Sequence, residues 1–144
     1  MLSVFWLIGV SCQQKTNGGK SSNNASSLAP ADTIYTISAV NSSFRQPVKD
    51  PGTVRQKKFV RITANEIINS AQVPISFDLY FISGNETVFL GSVAPFPANN
   101  PGSYIIATGG RVTKEGVLEL RLILPDNRNK SDQVEVKIKR LEFE

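Results

Sequence analysis

The residue types in this sequence leave few routes to catalysis. The chain contains no histidine and a single cysteine, so it has neither a histidine-activated nucleophile nor a histidine or cysteine cluster for a metal ion. Carboxylates remain, and four glutamates are candidates for a glycosidase pair: Glu115, Glu119, Glu135 and Glu142. Each lies among lysine or arginine on a predicted solvent face, where ion pairing across strands is the better explanation. We therefore predict a protein that is not an enzyme and uses no cofactor.

The most oxygen-rich stretch is residues 126–132, which read Asp-Asn-Arg-Asn-Lys-Ser-Asp. Calcium prefers several carboxylate and carbonyl oxygens, and loops of this composition can supply them. Here Arg128 and Lys130 interrupt the spacing of a dedicated calcium loop. We predict a polar hairpin loop and no metal site.

The most distinctive loop is residues 96–104, in which two prolines restrict the backbone. Aromatic Phe96 and Tyr104 flank Asn99 and Asn100, and a rigid loop with aromatic side chains suits recognition. In the alternative interpretation, Phe96 plugs the open end of the domain and Asn-Pro-Gly merely turns the chain. These four residues are candidate binding residues.

The N-terminus has the features of an export signal. Residues 2–10 form an apolar run that is far shorter than the roughly 18 residues of a membrane span. Ser11 and Cys12 follow, and this arrangement resembles the lipobox of bacterial lipoproteins. The resemblance implies cleavage before Cys12 and acylation of its thiol. Gly9 replaces the usual leucine, and an ordinary strand with a buried thiol is the alternative.

Residues 13–32 are rich in Ser, Asn, Gly and Lys, the composition of a flexible tether. We therefore divide the chain into a signal (1–12), a tether (13–32) and a globular domain (33–144). This order predicts a lipid-anchored protein of the bacterial cell envelope, held in its membrane through Cys12. The formal net charge is +4, but no basic run is interleaved with aromatics, so we expect no nucleic-acid partner.

The globular part alternates apolar and polar residues throughout, which is typical of half-buried strands. The clearest case is residues 74–82, where Phe77 and Leu79 should face inward and Asp78 and Tyr80 outward. The seven candidate strands are residues 33–40, 58–68, 74–82, 87–93, 103–108, 116–124 and 133–143. In the last of these the apolar positions slip near Lys139, which predicts a β-bulge. This pattern predicts an all-β fold, an antiparallel β-sandwich of about seven strands.

From Phe59 onward the sequence resembles the C-terminal β-sandwich domain of plant-type polyphenol oxidases (tyrosinases). The residues that carry the resemblance are Ser76-Phe77-Asp78-Leu79-Tyr80, Leu90-Gly91-Ser92 with Phe96-Pro97, residues 118–124, Val134-Glu135-Val136-Lys137-Ile138, and Leu141-Glu142-Phe143. In those oxidases the domain packs over a dicopper site whose ligands belong to a separate domain. Nothing in this chain corresponds to that domain, and Ser76 stands where the family's motif has lysine.

The resemblance implies at most a shielding or docking role on a partner in trans. Asp78 and Tyr80 would then lie on the docking face, whereas ordinary strand surface is the alternative interpretation. We expect a non-catalytic protein-interaction or shielding module whose partner is an envelope protein, and the resemblance implies an oxidase as that partner. A glycan-binding surface lipoprotein is the alternative. Its sugars would stack on Tyr35, Tyr80 and Tyr104, and so small a set of tyrosines counts against this alternative.

Overall fold

A computed structural model describes residues 33–50, 52, 57–126 and 133–144. The predicted signal with Cys12, the tether, and residues 127–132 of the oxygen-rich loop lie outside the described residues. In the described part, no helix is long and apolar enough to cross a membrane. The strands are β1 (Tyr35–Ser38), β2 (Ser43–Val48), β3 (Phe59–Ile68), β4 (Ser76–Ser83), β5 (Glu86–Val93), β6 (Gly102–Ala107), β7 (Gly116–Ile123), β8 (Glu135–Ile138) and β9 (Glu142–Phe143).

These strands form two antiparallel sheets. The first sheet has the order β1-β8-β3-β6, with β9 pairing with β3 in line with β8. The second sheet has the order β2-β7-β4-β5. β4 and β5 are joined as a hairpin at Gly84, whose φ of 59° favours glycine. The predicted all-β antiparallel sandwich is therefore confirmed.

The core lies between the sheets and takes its residues from the predicted inward positions. These inward side chains are almost completely buried, because alternate side chains of each strand point to the facing sheet. The buried residues of the three central strands are Val60, Ile62 and Ala64 in β3, Phe77, Leu79 and Phe81 in β4, and Leu118, Leu120 and Leu122 in β7. Packing of this kind leaves the alternate residues of the same strands on the outer faces.

The structure has nine strands where about seven were predicted. β2 was missed because Pro47 and the polar pair Arg45 and Gln46 break the apolar alternation; the strand lies at the edge of its sheet, where proline is tolerated. The predicted C-terminal strand is divided into β8 and β9, and the interruption at residues 139–141 coincides with the predicted bulge. A second irregularity lies in β3 between Ala64 and Glu66.

Candidate functional site

Asp78 and Tyr80 lie on the outer face of the second sheet. Their neighbours Phe77 and Leu79 have no accessible surface, so the alternation of β4 directs both polar side chains outward. The Tyr80 hydroxyl donates to Asp78 Oδ2 over 3.4 Å. The predicted positions of these two residues thus agree with the structure, and each is only partly exposed because neighbouring strands cover it.

Strand pairing places Tyr80 in a row of side chains that crosses the whole sheet. Arg45 in β2 is opposite Glu119 in β7, Glu119 is opposite Tyr80, and Tyr80 is opposite Phe89 in β5. Arg121 lies two residues along β7, on the same face. We call Arg45, Glu119, Arg121, Tyr80 and Phe89 the Glu119 cluster.

Glu119 is the centre of this cluster, and its side chain is only 3% exposed. Its Oε1 accepts from Arg45 Nε at 2.9 Å and lies 2.8 Å from Arg45 Nη2. Its Oε2 accepts from Arg121 Nε and Nη2 at 3.0 and 2.6 Å. Both carboxylate oxygens are therefore used, and one buried anion orients two guanidinium groups.

Burial of the Glu119 carboxylate opposes its ionisation, but hydrogen bonds and charges from Arg121 and Arg45 outweigh burial. The pKa of Glu119 therefore lies below its usual value of 4.5. The hydrogen bond to Glu119 is also the main cause that raises the pKa of Arg121. Glu119 is consequently ionised throughout the physiological pH range, and its carboxylate lies between two guanidinium groups.

Aromatic contacts continue the cluster toward the edge of the sheet. Arg121 Cζ lies 4.3 Å from the ring centroid of Tyr80, within the range of a cation–π interaction. The Tyr80 and Phe89 rings are 5.3 Å apart and tilted by 55°. Phe89 is 47% exposed, so the row ends in an accessible aromatic ring.

The predicted recognition loop, residues 96–104, comprises most of the connection between β5 and β6, residues 94–101, and the start of β6. We call residues 94–101 the Phe96 loop. Phe96 at its tip is 92% exposed, so the alternative in which Phe96 plugs the sandwich is wrong. Asn99 and Asn100 are also exposed. Tyr104 differs from them, because its ring is half-buried and lies 6.0 Å from the core ring of Phe77.

Hydrogen bonds hold the Phe96 loop against the domain. The Tyr104 hydroxyl donates to the Asn100 carbonyl at 2.5 Å, and burial raises the pKa of Tyr104. The Asn100 amide donates to the Pro97 carbonyl at 2.9 Å. Asn69, which is buried, donates from Nδ2 to the Ala98 carbonyl at 3.2 Å. Tyr104 and Asn100 thus position the loop.

The six predicted binding residues form two groups. Asp78 and Tyr80 belong to the outer face. Phe96, Asn99 and Asn100 belong to the Phe96 loop, and Tyr104 in β6 is bonded to that loop. The chain leaves β5 for this loop at Val93, which pairs with Phe77 beside Asp78. The loop therefore begins at the Asp78 end of the outer face.

Glu119 was predicted to form an ion pair across strands, and it pairs with Arg45 on the neighbouring strand. Other residues that build these surfaces were missed. Arg121 is one of them, although the alternation of β7 directs it outward on the same face as Glu119. Arg45 was missed because β2 was not predicted, and Asn69 because its role depends on two loops meeting. The four candidate glutamates do not form one site: Glu119 lies on the second sheet, whereas Glu135 and Glu142 belong to strands of the first.

Over the residues that the structure describes, no group of three or more acidic, cysteine or histidine side chains is arranged to hold a metal ion. The prediction that the chain is not an enzyme stays a prediction. No protein-family model and no curated protein match the sequence.

Among solved structures, the fold is similar to recombinantly expressed latent aurone synthase, a polyphenol oxidase, co-crystallised with hexatungstotellurate(VI). The identity is 13% and the TM-score 0.46; the likeness covers 76% of this chain and 25% of that chain. This is the class of enzyme whose C-terminal domain the sequence resembles.

Proposed function

We propose that this chain is a non-catalytic module that is anchored in the bacterial cell envelope by lipid on Cys12 and binds a protein partner there. The observation that carries the proposal is Phe96, an aromatic side chain that is 92% exposed. It lies on a loop that hydrogen bonds from Asn69 and Tyr104 hold to the domain. Aromatic residues, phenylalanine among them, are enriched at the centres of protein interfaces.

The physical reason is the combination of exposure and order. Burial of an exposed phenylalanine ring by a partner favours binding, because an aromatic side chain can remove about 150–250 Å² of surface from water. Because Asn69 and Tyr104 already fix the loop, little conformational entropy is lost on binding. The Phe96 loop is therefore suited to insert into an apolar pocket of another protein.

An oxidase is the partner that the sequence resemblance suggests, with this domain shielding its active site in trans. The contacts of the tyrosines favour a protein partner over the glycan alternative. Tyr35 packs against Phe44 with ring centroids 4.3 Å apart, Arg121 covers Tyr80, and Tyr104 holds the Phe96 loop. Each ring thus already has a partner within the domain.

The test is affinity capture with matched variants. Residues 33–144, which contain every described strand, are immobilised as wild type, Phe96→Ala and Val40→Ala, and solubilised envelope extract is passed over each. Val40 is 96% exposed on another loop, so its variant removes a comparable exposed apolar group. We expect wild type and Val40→Ala to retain the same protein. Phe96→Ala should bind that protein with about tenfold lower affinity.

Binding must then be reproduced with the purified partner by titration calorimetry. If that partner is a phenol oxidase whose rate falls when the domain is added, the shielding role is supported as well. Retention that is the same for all three proteins would refute the role of Phe96. Binding of soluble envelope polysaccharide in place of protein would favour the glycan alternative.

A further inference from the structure

Of the strands that the structure describes, four lie at the outer ends of the two sheets: β1 and β6 in the first sheet, and β2 and β5 in the second. A free strand edge is a template for a further strand. Proteins block such edges with very short strands, with proline, with bulges or with charged side chains. β1 has only four residues, and β2 contains Pro47, so both of these edges are protected.

The edge of β5 is protected in two ways. Leu79 pairs with Gly91 and Tyr80 with Phe89, so Leu90 is an extra residue in β5 and forms a bulge. Arg111 donates to the carbonyls of Phe89 and Leu90. The bulge and the guanidinium together occupy the edge at which a further strand would pair.

β6 (Gly102–Ala107) has none of these protections. It is six residues long and contains neither proline nor a charged side chain. The chain carries no charge from Asn99 to Gly110. Arg111 reaches this strand only at its last residue, where Nη2 lies 3.5 Å from the Ala107 carbonyl oxygen. β6 is therefore the edge that stays open to another strand.

The hydrogen bonds of β3 show which backbone groups of β6 face this open edge. The Thr108 amide donates to the Lys58 carbonyl at 2.8 Å, and β6 continues this antiparallel pairing along β3. In an antiparallel pair every second residue bonds to the same neighbour. The even-numbered residues of β6 therefore bond to β3. The residues whose amides and carbonyls point to the open edge are Ser103, Ile105 and Ala107.

The side chains beside the open edge are apolar or paired. Ile105 is 53% exposed and Phe59 is 44% exposed, and both lie on the outer face of the first sheet. Arg61, opposite Ile105 on β3, forms an ion pair with Glu144, so its charge is compensated. The edge therefore offers backbone hydrogen-bonding groups next to an uncharged apolar surface.

This edge is complementary to itself. If two copies of β6 pair antiparallel about a two-fold axis, Ile105 lies opposite Ile105 of the second copy, and Ser103 lies opposite Ala107 of the second copy. In this register the three residues that face the edge form hydrogen-bonded pairs, with about six hydrogen bonds between the copies. No like charges oppose each other, and the isoleucine pair is favourable across strands. A two-fold interface uses the same patch on both copies.

We propose that the open edge of β6 binds a second copy of this chain, with the two β6 strands paired antiparallel about Ile105. The first sheets of both copies then form one continuous sheet. The two Phe96 loops, each next to Gly102, begin about 20 Å apart along the joined strands, so one dimer presents two loops. This inference goes beyond the proposed function and is carried by different residues.

Disulfide cross-linking tests the register. Single cysteines are introduced into the full chain with Cys12→Ser, which leaves each introduced thiol as the sole cysteine, and the proteins are oxidised in detergent. Ile105→Cys should cross-link to itself, because paired residues lie about 5.5 Å apart between Cα atoms, within the range of a disulfide. Ser103→Cys alone should not, because its two copies lie about 14 Å apart. A mixture of Ser103→Cys with differently tagged Ala107→Cys should give the mixed dimer.

Sedimentation velocity of the full chain in excess detergent tests the interface without a cross-link. We expect wild type to dimerise as its concentration rises to about 100 μM. Ile105→Lys should weaken self-association at least tenfold, because it places two positive charges opposite each other. Ile123→Lys, at a 41% exposed position in β7, is the matched control and should associate like wild type. Thermal unfolding of each variant verifies its fold.

Three results would overturn the inference. They are a wild-type chain that stays monomeric at about 100 μM, self-association that Ile105→Lys leaves unchanged, and cross-linking of Ser103→Cys alone as readily as Ile105→Cys. If wild type is monomeric and Ile105→Lys loses the envelope protein captured above, a strand of that protein occupies the edge in place of a second copy. Because the capture test depends on Phe96, loss of this inference leaves the proposed function to be judged separately.

Discussion

Glu119 is a charged residue that faces outward from its sheet and is nevertheless buried. Its strand directs it outward, but two arginines and the surrounding sheet cover it to 3% exposure. A buried carboxylate without partners would be strongly unfavourable, so the two guanidinium groups are required for this position. The residue therefore links the stability of the second sheet to its ionisation.

The stability of the domain should depend on pH through Glu119. The folded-state pKa lies below the usual 4.5, so ionised Glu119 stabilises the fold above pH 4.5 and this contribution is lost as pH falls through the folded pKa. We expect Glu119→Gln to lose about 1–2 kcal/mol at pH 7 and to show a smaller further loss between pH 5 and pH 3 than wild type.

Urea unfolding at a series of pH values measures this difference. Glu142→Gln, which removes an exposed carboxylate from the first sheet, is the control and should follow the wild-type pH dependence. If Glu119→Gln and wild type lose the same stability on acidification, the guanidinium groups do not stabilise the ionised carboxylate.

At the scale of elements, β2 joins the two sheets where the C-terminal strand is interrupted. Gln46 occupies an inward position of β2 and is 7% exposed. Its Nε2 donates to the Leu141 carbonyl and its Oε1 accepts from the Leu141 amide, both at 2.9 Å. One side-chain amide thus replaces the strand partner that Leu141 lacks between β8 and β9.

Replacing Gln46 should destabilise the domain. Gln46→Leu leaves the buried amide and carbonyl of Leu141 unpaired, and each such group costs about 1–3 kcal/mol, so we expect a loss of about 2–6 kcal/mol. Chemical denaturation measures the loss, and hydrogen exchange should be faster at the Leu141 amide. Gln133→Ala, at an exposed position, should change neither quantity. An unchanged exchange rate at Leu141 would contradict the proposed link.

At the scale of the whole molecule, side chains also connect the sheets along their edges. The Arg111 guanidinium donates to the Phe89 and Leu90 carbonyls of edge strand β5, at 2.5 and 2.6 Å, and its Nε donates to Thr108 beyond β6. These bonds satisfy carbonyls that an edge strand otherwise exposes to other chains. The edge of β5 is thus closed while the Phe96 loop and the outer face of the second sheet stay accessible.

Anchoring is a property of the whole chain, and Cys12 is the residue that tests it. If lipid on Cys12 holds the protein in the membrane, wild type should partition into the detergent phase of a Triton X-114 extract. Cys12→Ser should move it into the aqueous phase, because one short apolar run provides no lasting anchor. Mass spectrometry of the wild-type N-terminal peptide should show acyl groups. Detergent partitioning of both forms alike would contradict lipid anchoring.

The amino-acid pattern by itself determined the strands with regular alternation and their inward residues, as in β4 and β7. This was possible because side chains on successive residues of a strand point to opposite faces, which is a local rule. The absence of histidine likewise excluded whole classes of chemistry without any structure. β2 was missed because its inward residue Gln46 is polar. The sequence pattern does not reveal the distant partner, Leu141, whose carbonyl Gln46 binds.

Only the tertiary structure decided which side chains meet. Arg45 and Glu119 are 74 residues apart in the chain and become neighbours because β2 pairs with β7, a choice that the packing of the whole core makes. The exposure of Phe96 was decided in the same way, since the path of its loop depends on Asn69 and Tyr104. Local alternation sets the face of each residue, whereas strand order and loop paths depend on all the contacts of the sandwich together.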